Sequence, residues 1–100
     1  MYIGDHSPWG VIQDAEPLGK GVFSVSTAGH GGIYVPPDQL HHIPKREQQY
    51  AAYWSGSKHW YEEDICCVSP LVHIPNIDKP EAERLANAYR QLIQFIERKK

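Results

Sequence analysis

One hundred residues is the usual length of one compact domain, and so short a chain has room for only one modest core. Hydrophobic residues at 41% against 22% charged place it among folding rather than disordered sequences. Ten basic and twelve acidic residues leave a formal charge of -2, too little positive field to draw in DNA or an anionic membrane, so nucleic acid is not the expected partner.

No run of about 18 apolar residues occurs, and Met1-Tyr2-Ile3-Gly4-Asp5 lacks a basic region followed by an apolar stretch. Neither a membrane span nor a signal peptide is expected. The only cysteines, Cys66 and Cys67, are adjacent, and joining them closes a small strained ring, so both are expected as reduced thiols in a cytoplasmic protein. Residues 1–100 are read as a single domain.

In chain order, Ser7-Pro8-Trp9-Gly10 presents a large aromatic between two backbone constraints and predicts a loop pinned by Trp9. Residues 11–14 suit a short strand, and Glu16-Pro17-Leu18-Gly19-Lys20-Gly21 reads as a turn. Residues 21–27 alternate Val22, Ser24 and Ser26 against Phe23, Val25 and Thr27, which predicts a strand. Ala28-Gly29-His30-Gly31-Gly32 then turns the chain, and Ile33-Tyr34-Val35 resumes a strand that Pro36-Pro37 ends.

Residues 45–54 predict a helix with Tyr50, Ala51 and Trp54 on one stripe, broken by Ser55-Gly56-Ser57. Residues 60–68 fit two readings: Tyr61, Ile65 and Val68 lie at helical spacing, while Ile65-Cys66-Cys67-Val68 suits a strand. From Asp78, read as an N-cap with Glu81 three residues on, the residues Ala82, Leu85, Ala86, Tyr89, Leu92, Ile93 and Ile96 recur at helical spacing. Arg98, Lys99 and Lys100 complement the negative pole of that helix. The predicted class is α+β: a small antiparallel sheet packed against helices, with a long amphipathic C-terminal helix.

Several residue groups have the makings of a site. The glycine-rich segment offers exposed N–H groups to an anion and His30 as a proton carrier, but it matches neither a Walker loop nor a dinucleotide fingerprint, which favours a plain turn. Glu62-Glu63-Asp64 bring three carboxylates together beside Trp60 and Tyr61, where repulsion or partial burial can raise one toward acid–base use; a solvated acidic helix start is the favoured explanation. Ser26 or Thr27 with His30 and one of those acids has the parts of a nucleophile, base and orienting acid, without the G-x-S-x-G context. Six histidines in no H-x-x-x-H spacing, and Cys66-Cys67 without C-x-x-C, give no metal expectation beyond a His30 and Glu63 pair brought together by folding. No cofactor is expected.

Three segments, Ser7-Pro8-Trp9-Gly10 with Gln13, Ser26-Thr27-Ala28-Gly29-His30-Gly31-Gly32-Ile33, and Trp60-Tyr61-Glu62-Glu63-Asp64, resemble a family of small proteins carried by phages, plasmids and other bacterial mobile elements. The resemblance spans roughly residues 7–75. The chain departs from the family pattern at Gly29, where a Ser is usual, and at Cys66-Cys67-Val68-Ser69-Pro70, where a more helix-compatible stretch is usual. What the resemblance implies is a setting: an accessory protein in the cytoplasm of a bacterial host, of the kind that blocks a defence system such as a CRISPR or restriction complex.

The expected function is therefore binding to a host or phage protein complex rather than catalysis, through Trp54, Trp60, Tyr61, Glu62, Glu63 and Asp64. The alternative is a small hydrolase or metal-dependent enzyme with His30, Glu63 and Asp64 as catalytic groups in the Glu62-Glu63-Asp64 cluster. A DNA-binding regulator has only Lys45-Arg46 and Arg98-Lys99-Lys100 in its favour.

Overall fold

The computed structural model describes residues 2–98. Strands β1 (His6–Ser7) and β2 (Gly10–Val11) form a small antiparallel hairpin whose turn is Pro8 and Trp9. Ser7 Oγ accepts from Trp9 N at 3.2 Å and donates to Gly10 O at 2.8 Å, so one hydroxyl locks the turn. Four further strands, β3 (Asp14–Gly19), β4 (Val22–Ser26), β5 (Gly31–Tyr34) and β6 (Trp60–Glu62), make an antiparallel sheet in the order β3-β4-β5-β6.

The register follows the alternation of side chains. Ser24↔Ile33 and Ile33↔Tyr61 set Val22, Ile33 and Tyr61 on the inward face, where all three are buried. Phe23↔Tyr34 and Tyr34↔Trp60 place an aromatic row on the outward face.

Residues 16–21, expected as a turn, are mostly strand: β3 runs to Gly19, and the reversal is confined to Gly19, Lys20 and Gly21, all at positive φ. Pro17 is tolerated because β3 is an edge strand and the missing N–H breaks no ladder bond on its open side. The expected strand at residues 11–14 is also redistributed, Val11 closing β2 and Asp14 opening β3.

A 3-10 helix (Pro37–His42) follows the two prolines and leads into α1 (Lys45–Ser55), which stops at Gly56 in the left-handed conformation, φ 84°. The ambiguous stretch from residue 60 divides: β6 ends at Glu62, a turn carries Cys66 into the core, and α2 (Val68–His73) follows with Pro70 in its first turn. The opposite edge from β3 is β6, and local bonds cover it: Trp60 N donates to Ser57 O, Ser55 Oγ to Trp60 O, and Cys67 N to Glu62 O.

The last helix, α3 (Ala82–Arg98), starts four residues later than Asp78. Pro80 disfavours a helical Lys79, and the Asp78 amide donates instead to Leu18 O of β3 at 2.8 Å, so Asp78 pins the incoming chain to the sheet and is not an N-cap. Leu92 and Ile96 are buried, with Leu85, Ala88, Tyr89 and Ile93 packed beside them, whereas Ala82 and Ala86 face outward. Each of the two buried side chains contributes about 1.5–3 kcal/mol by leaving water. Arg98 is exposed, its guanidinium 5.4 Å from the Phe95 ring centroid. Lys99 and Lys100 of the expected basic tail lie outside the described residues.

The protein is thus an α+β structure with helices on one face of the antiparallel sheet. Among the described residues no helix is long and apolar enough to cross a membrane.

Candidate functional site

The three motif segments meet at one corner of the outward face. Thr27 closes the loop between β4 and β5: its N donates to His30 O at 2.8 Å, and its Oγ1 accepts from His30 N at 3.2 Å. The Thr27 hydroxyl is shared between His30 O at 2.8 Å and Trp9 O at 3.2 Å, which ties the first motif to the second. Gly31 and Gly32 are required there by close approach. A Cβ on Gly31 would stand 2.6 Å from Val25 O, and one on Gly32 would collide with Tyr61 O and the Trp9 ring.

The Trp9 ring therefore approaches backbone that has no side chain in the way. Its ring meets Trp60 edge to face, centroids 5.6 Å apart at 89°, and Trp60 in turn meets Tyr34 at 5.0 Å. The third motif follows from β6: Glu62 pairs with Gly32, Glu63 N donates to Gly31 O at 2.9 Å, and Glu62 Oε1 accepts from Asp64 N at 2.9 Å. The result is a braced corner from which His30, Glu63 and Asp64 project into solvent.

Among the described residues the His30 ring, the Glu63 carboxylate and the Asp64 carboxylate take part in no hydrogen bond or ion pair. Glu63 Oε2 lies over Gly31, the residue after His30, but among the described residues no carboxylate hydrogen-bonds to the imidazole. Thr27 is committed to the backbone and Ser26 is exposed, so the hydroxyl, imidazole and acid are not assembled as a triad. No group of three or more His, Cys, Asp or Glu stands ready for a metal among the described residues.

The expected binding set is divided by the fold. Tyr61, taken as a surface aromatic, is fully buried, because the strand period turns it inward while Trp60 and Glu62 turn outward. Trp54 is exposed but belongs to the helical layer, where it meets Tyr50 and Tyr53 edge to face at 6.2 and 5.2 Å. Trp60, Glu62, Glu63 and Asp64 remain together at the motif corner. Burial, followed by the charge of Glu62, pushes the Cys66 thiol up to about 12 and the Cys67 thiol up to about 11, which leaves both as poor nucleophiles.

A second constellation escaped the sequence reading. Glu47 of α1 is 2% exposed and accepts from three side chains on two other helices: Ser69 Oγ of α2 at 2.8 Å, His73 Nε2 of α2 at 3.0 Å, and Tyr89 OH of α3 at 2.6 Å. His73 Nε2 also lies 3.2 Å from the Tyr89 oxygen. A buried carboxylate needs such donors, and these clamp all three helices. Burial first, then the bond to Glu47 and its charge, push the Tyr89 phenol up to about 12. The signal in the sequence was the position of Glu47, three residues before Tyr50 and four before Ala51, on the apolar stripe of α1. Beside the clamp, the Tyr61 hydroxyl is buried with no partner among the described residues, and burial raises its pKa, with the charges of Cys66 and Glu47 adding to the effect.

The family model of a domain of unknown function, DUF7007, matches residues 2–97, a span that includes all three motif segments. No curated protein and no solved structure matches the chain.

Proposed function

The chain belongs to the DUF7007 domain family, and we propose that this member is a protein-binding module that docks through the motif corner. The carrying observation is that three segments far apart in sequence brace one another and leave the side chains of His30, Glu63 and Asp64 exposed, with no hydrogen bond or ion pair among the described residues. A surface already ordered before binding loses little entropy on docking. Its two carboxylates select a basic partner surface and oppose an acidic one. In the mobile-element setting that the resemblance implies, the partner is a protein complex in the cytoplasm of a bacterial host. A defence complex is the first to test, because its nucleic-acid groove is a basic surface that carboxylates can occupy in place of phosphate.

The test is a challenge assay in a defence-competent host expressing the wild type, Glu63→Lys/Asp64→Lys, His30→Ala or Trp54→Ala, paired with capture of the defence complex by each tagged protein. Charge reversal at the corner is expected to abolish both protection and capture, with thermal unfolding unchanged because both side chains are exposed. Retained capture by the reversed variant, with loss by Trp54→Ala, would move the docking surface to the helical layer and defeat the proposal.

A further inference from the structure

A cleft of about 420 Å³ lies between the 3-10 helix, the start of α1 and the loop before β6; its walls carry Pro37, Leu40, His41, Lys45, Lys58 and His59. It runs on along α1 past Gln49 and Ala52, with Lys45, Gln48 and Lys58 common to both parts. None of the twelve acidic residues lines either part, in a chain whose acids outnumber its bases. Among the described residues neither lysine has an ion pair or hydrogen bond. Two unneutralised ammonium groups held on one concave surface repel each other, and a bound anion relieves that repulsion.

The cleft is also built to hold its shape. Gln48 Nε2 donates to Leu40 O at 3.0 Å and Ile43 O at 2.8 Å, fastening the 3-10 helix to α1. His59 Nδ1 lies 2.9 Å from Val35 O; a carbonyl oxygen can only accept, so Nδ1 carries a proton. The His59 ring is further held against Tyr34, centroids 6.4 Å apart at 27°. No side chain caps the first turn of α1, where Glu47 N donates to Pro44 O, and the one acid of that turn, Glu47, is turned inward to the clamp.

We propose that this cleft binds a phosphate monoester of a small ring-bearing molecule, the phosphate between Lys45 and Lys58 and the ring against Pro37 and Leu40. Lysines acting as point charges from two sides suit a tetrahedral dianion, whereas a planar carboxylate is matched by an arginine fork, and no arginine lines the cleft. The volume exceeds what a phosphate group alone fills and falls in the range of small-ligand sites, about 300–1,000 Å³. Nucleotides and sugar phosphates share this chemistry. The site does not depend on the docking role of the motif corner.

The experiment is a titration of the isotope-labelled full chain with adenosine monophosphate, ribose 5-phosphate, adenosine and a single-stranded oligothymidine, read by amide shifts and by calorimetry. Adenosine monophosphate is expected to shift the amides of Lys45, Lys58 and His59, and adenosine is expected to leave them in place. Lys45→Gln/Lys58→Gln is expected to bind it about tenfold more weakly or worse with unchanged thermal unfolding, since both lysines are exposed. Tighter binding of adenosine monophosphate than of ribose 5-phosphate identifies the nucleotide as the source, and equal binding identifies the sugar phosphate. The proposal is overturned if neither phosphate ester moves these amides, if the double variant binds as the wild type does, or if only the oligothymidine binds. Glu63→Lys/Asp64→Lys is expected to leave the titration unchanged, so a failed docking role and a failed cleft read out separately.

Discussion

The clamp around Glu47 and the corner around His30 are made of the same chemical parts, a carboxylate, an imidazole and a hydroxyl, and they behave oppositely. At the clamp, Glu47 is 2% exposed and takes donors from Ser69, His73 and Tyr89. At the corner, the hydroxyl of Thr27 is spent on backbone while His30, Glu63 and Asp64 are left to solvent. The difference teaches that a polar cluster becomes structure when the fold closes it and becomes a contact surface when the fold only braces it from behind.

The largest effect expected from breaking this contrast is at Glu47. Glu47→Ala strands Ser69, His73 and Tyr89 around a cavity and is expected to cost about 3–5 kcal/mol in urea unfolding. An unfolding midpoint equal to that of the wild type would show that the clamp does not hold the helices together. Next comes Gly32→Ala, which drives a methyl group into Tyr61 O and the Trp9 ring where backbone cannot yield; about 1–3 kcal/mol is expected, with a change in tryptophan fluorescence as Trp9 leaves Trp60. Unchanged fluorescence would mean that Trp9 does not depend on the bare glycine.

A smaller effect is expected at alkaline pH. Cys67 and Cys66 are raised from 9.0 to about 11 and about 12, and Tyr89 from 10.0 to about 12, so the native state keeps protons that the unfolded chain releases. The stability this represents is whole below pH 9.0 and is lost as the pH rises through 11 and 12. Urea midpoints followed across that range should fall, and in Cys66→Ala/Cys67→Ala the fall should begin later, near the ordinary tyrosine value of 10.0. A fall that begins at the same pH in both proteins would exclude the thiols as its cause. The smallest effect is at the corner: His30→Ala is expected to change stability by less than about 0.5 kcal/mol, and a loss above 1 kcal/mol would make His30 a structural residue like His73.

Much of the framework was legible in local pattern. The strand around Val22 and Val25, the helix with Tyr50 and Ala51 inward, and the amphipathic C-terminal helix all follow from side-chain period, which backbone geometry imposes within a few residues. The motif corner was half legible. Its glycines and acids stood out, but that Gly32 exists to admit Trp9 shows only once residues 23 positions apart are brought together. Asp78 looked like a cap because the capping box is a local rule, and β3 then claimed its amide from sixty residues away.

The sequence by itself determined the α+β class, the elements with a clear hydrophobic period, and the residues from which a site can be drawn. Only the tertiary structure decided that Tyr61 is core and Trp60 surface, that Glu47 closes a clamp while Glu63 stays open, and that Lys45 and Lys58 share a cleft free of acids. The reason is physical: period is set by neighbours along the chain, whereas burial and electrostatic environment are set by whichever distant segment packs against a side chain.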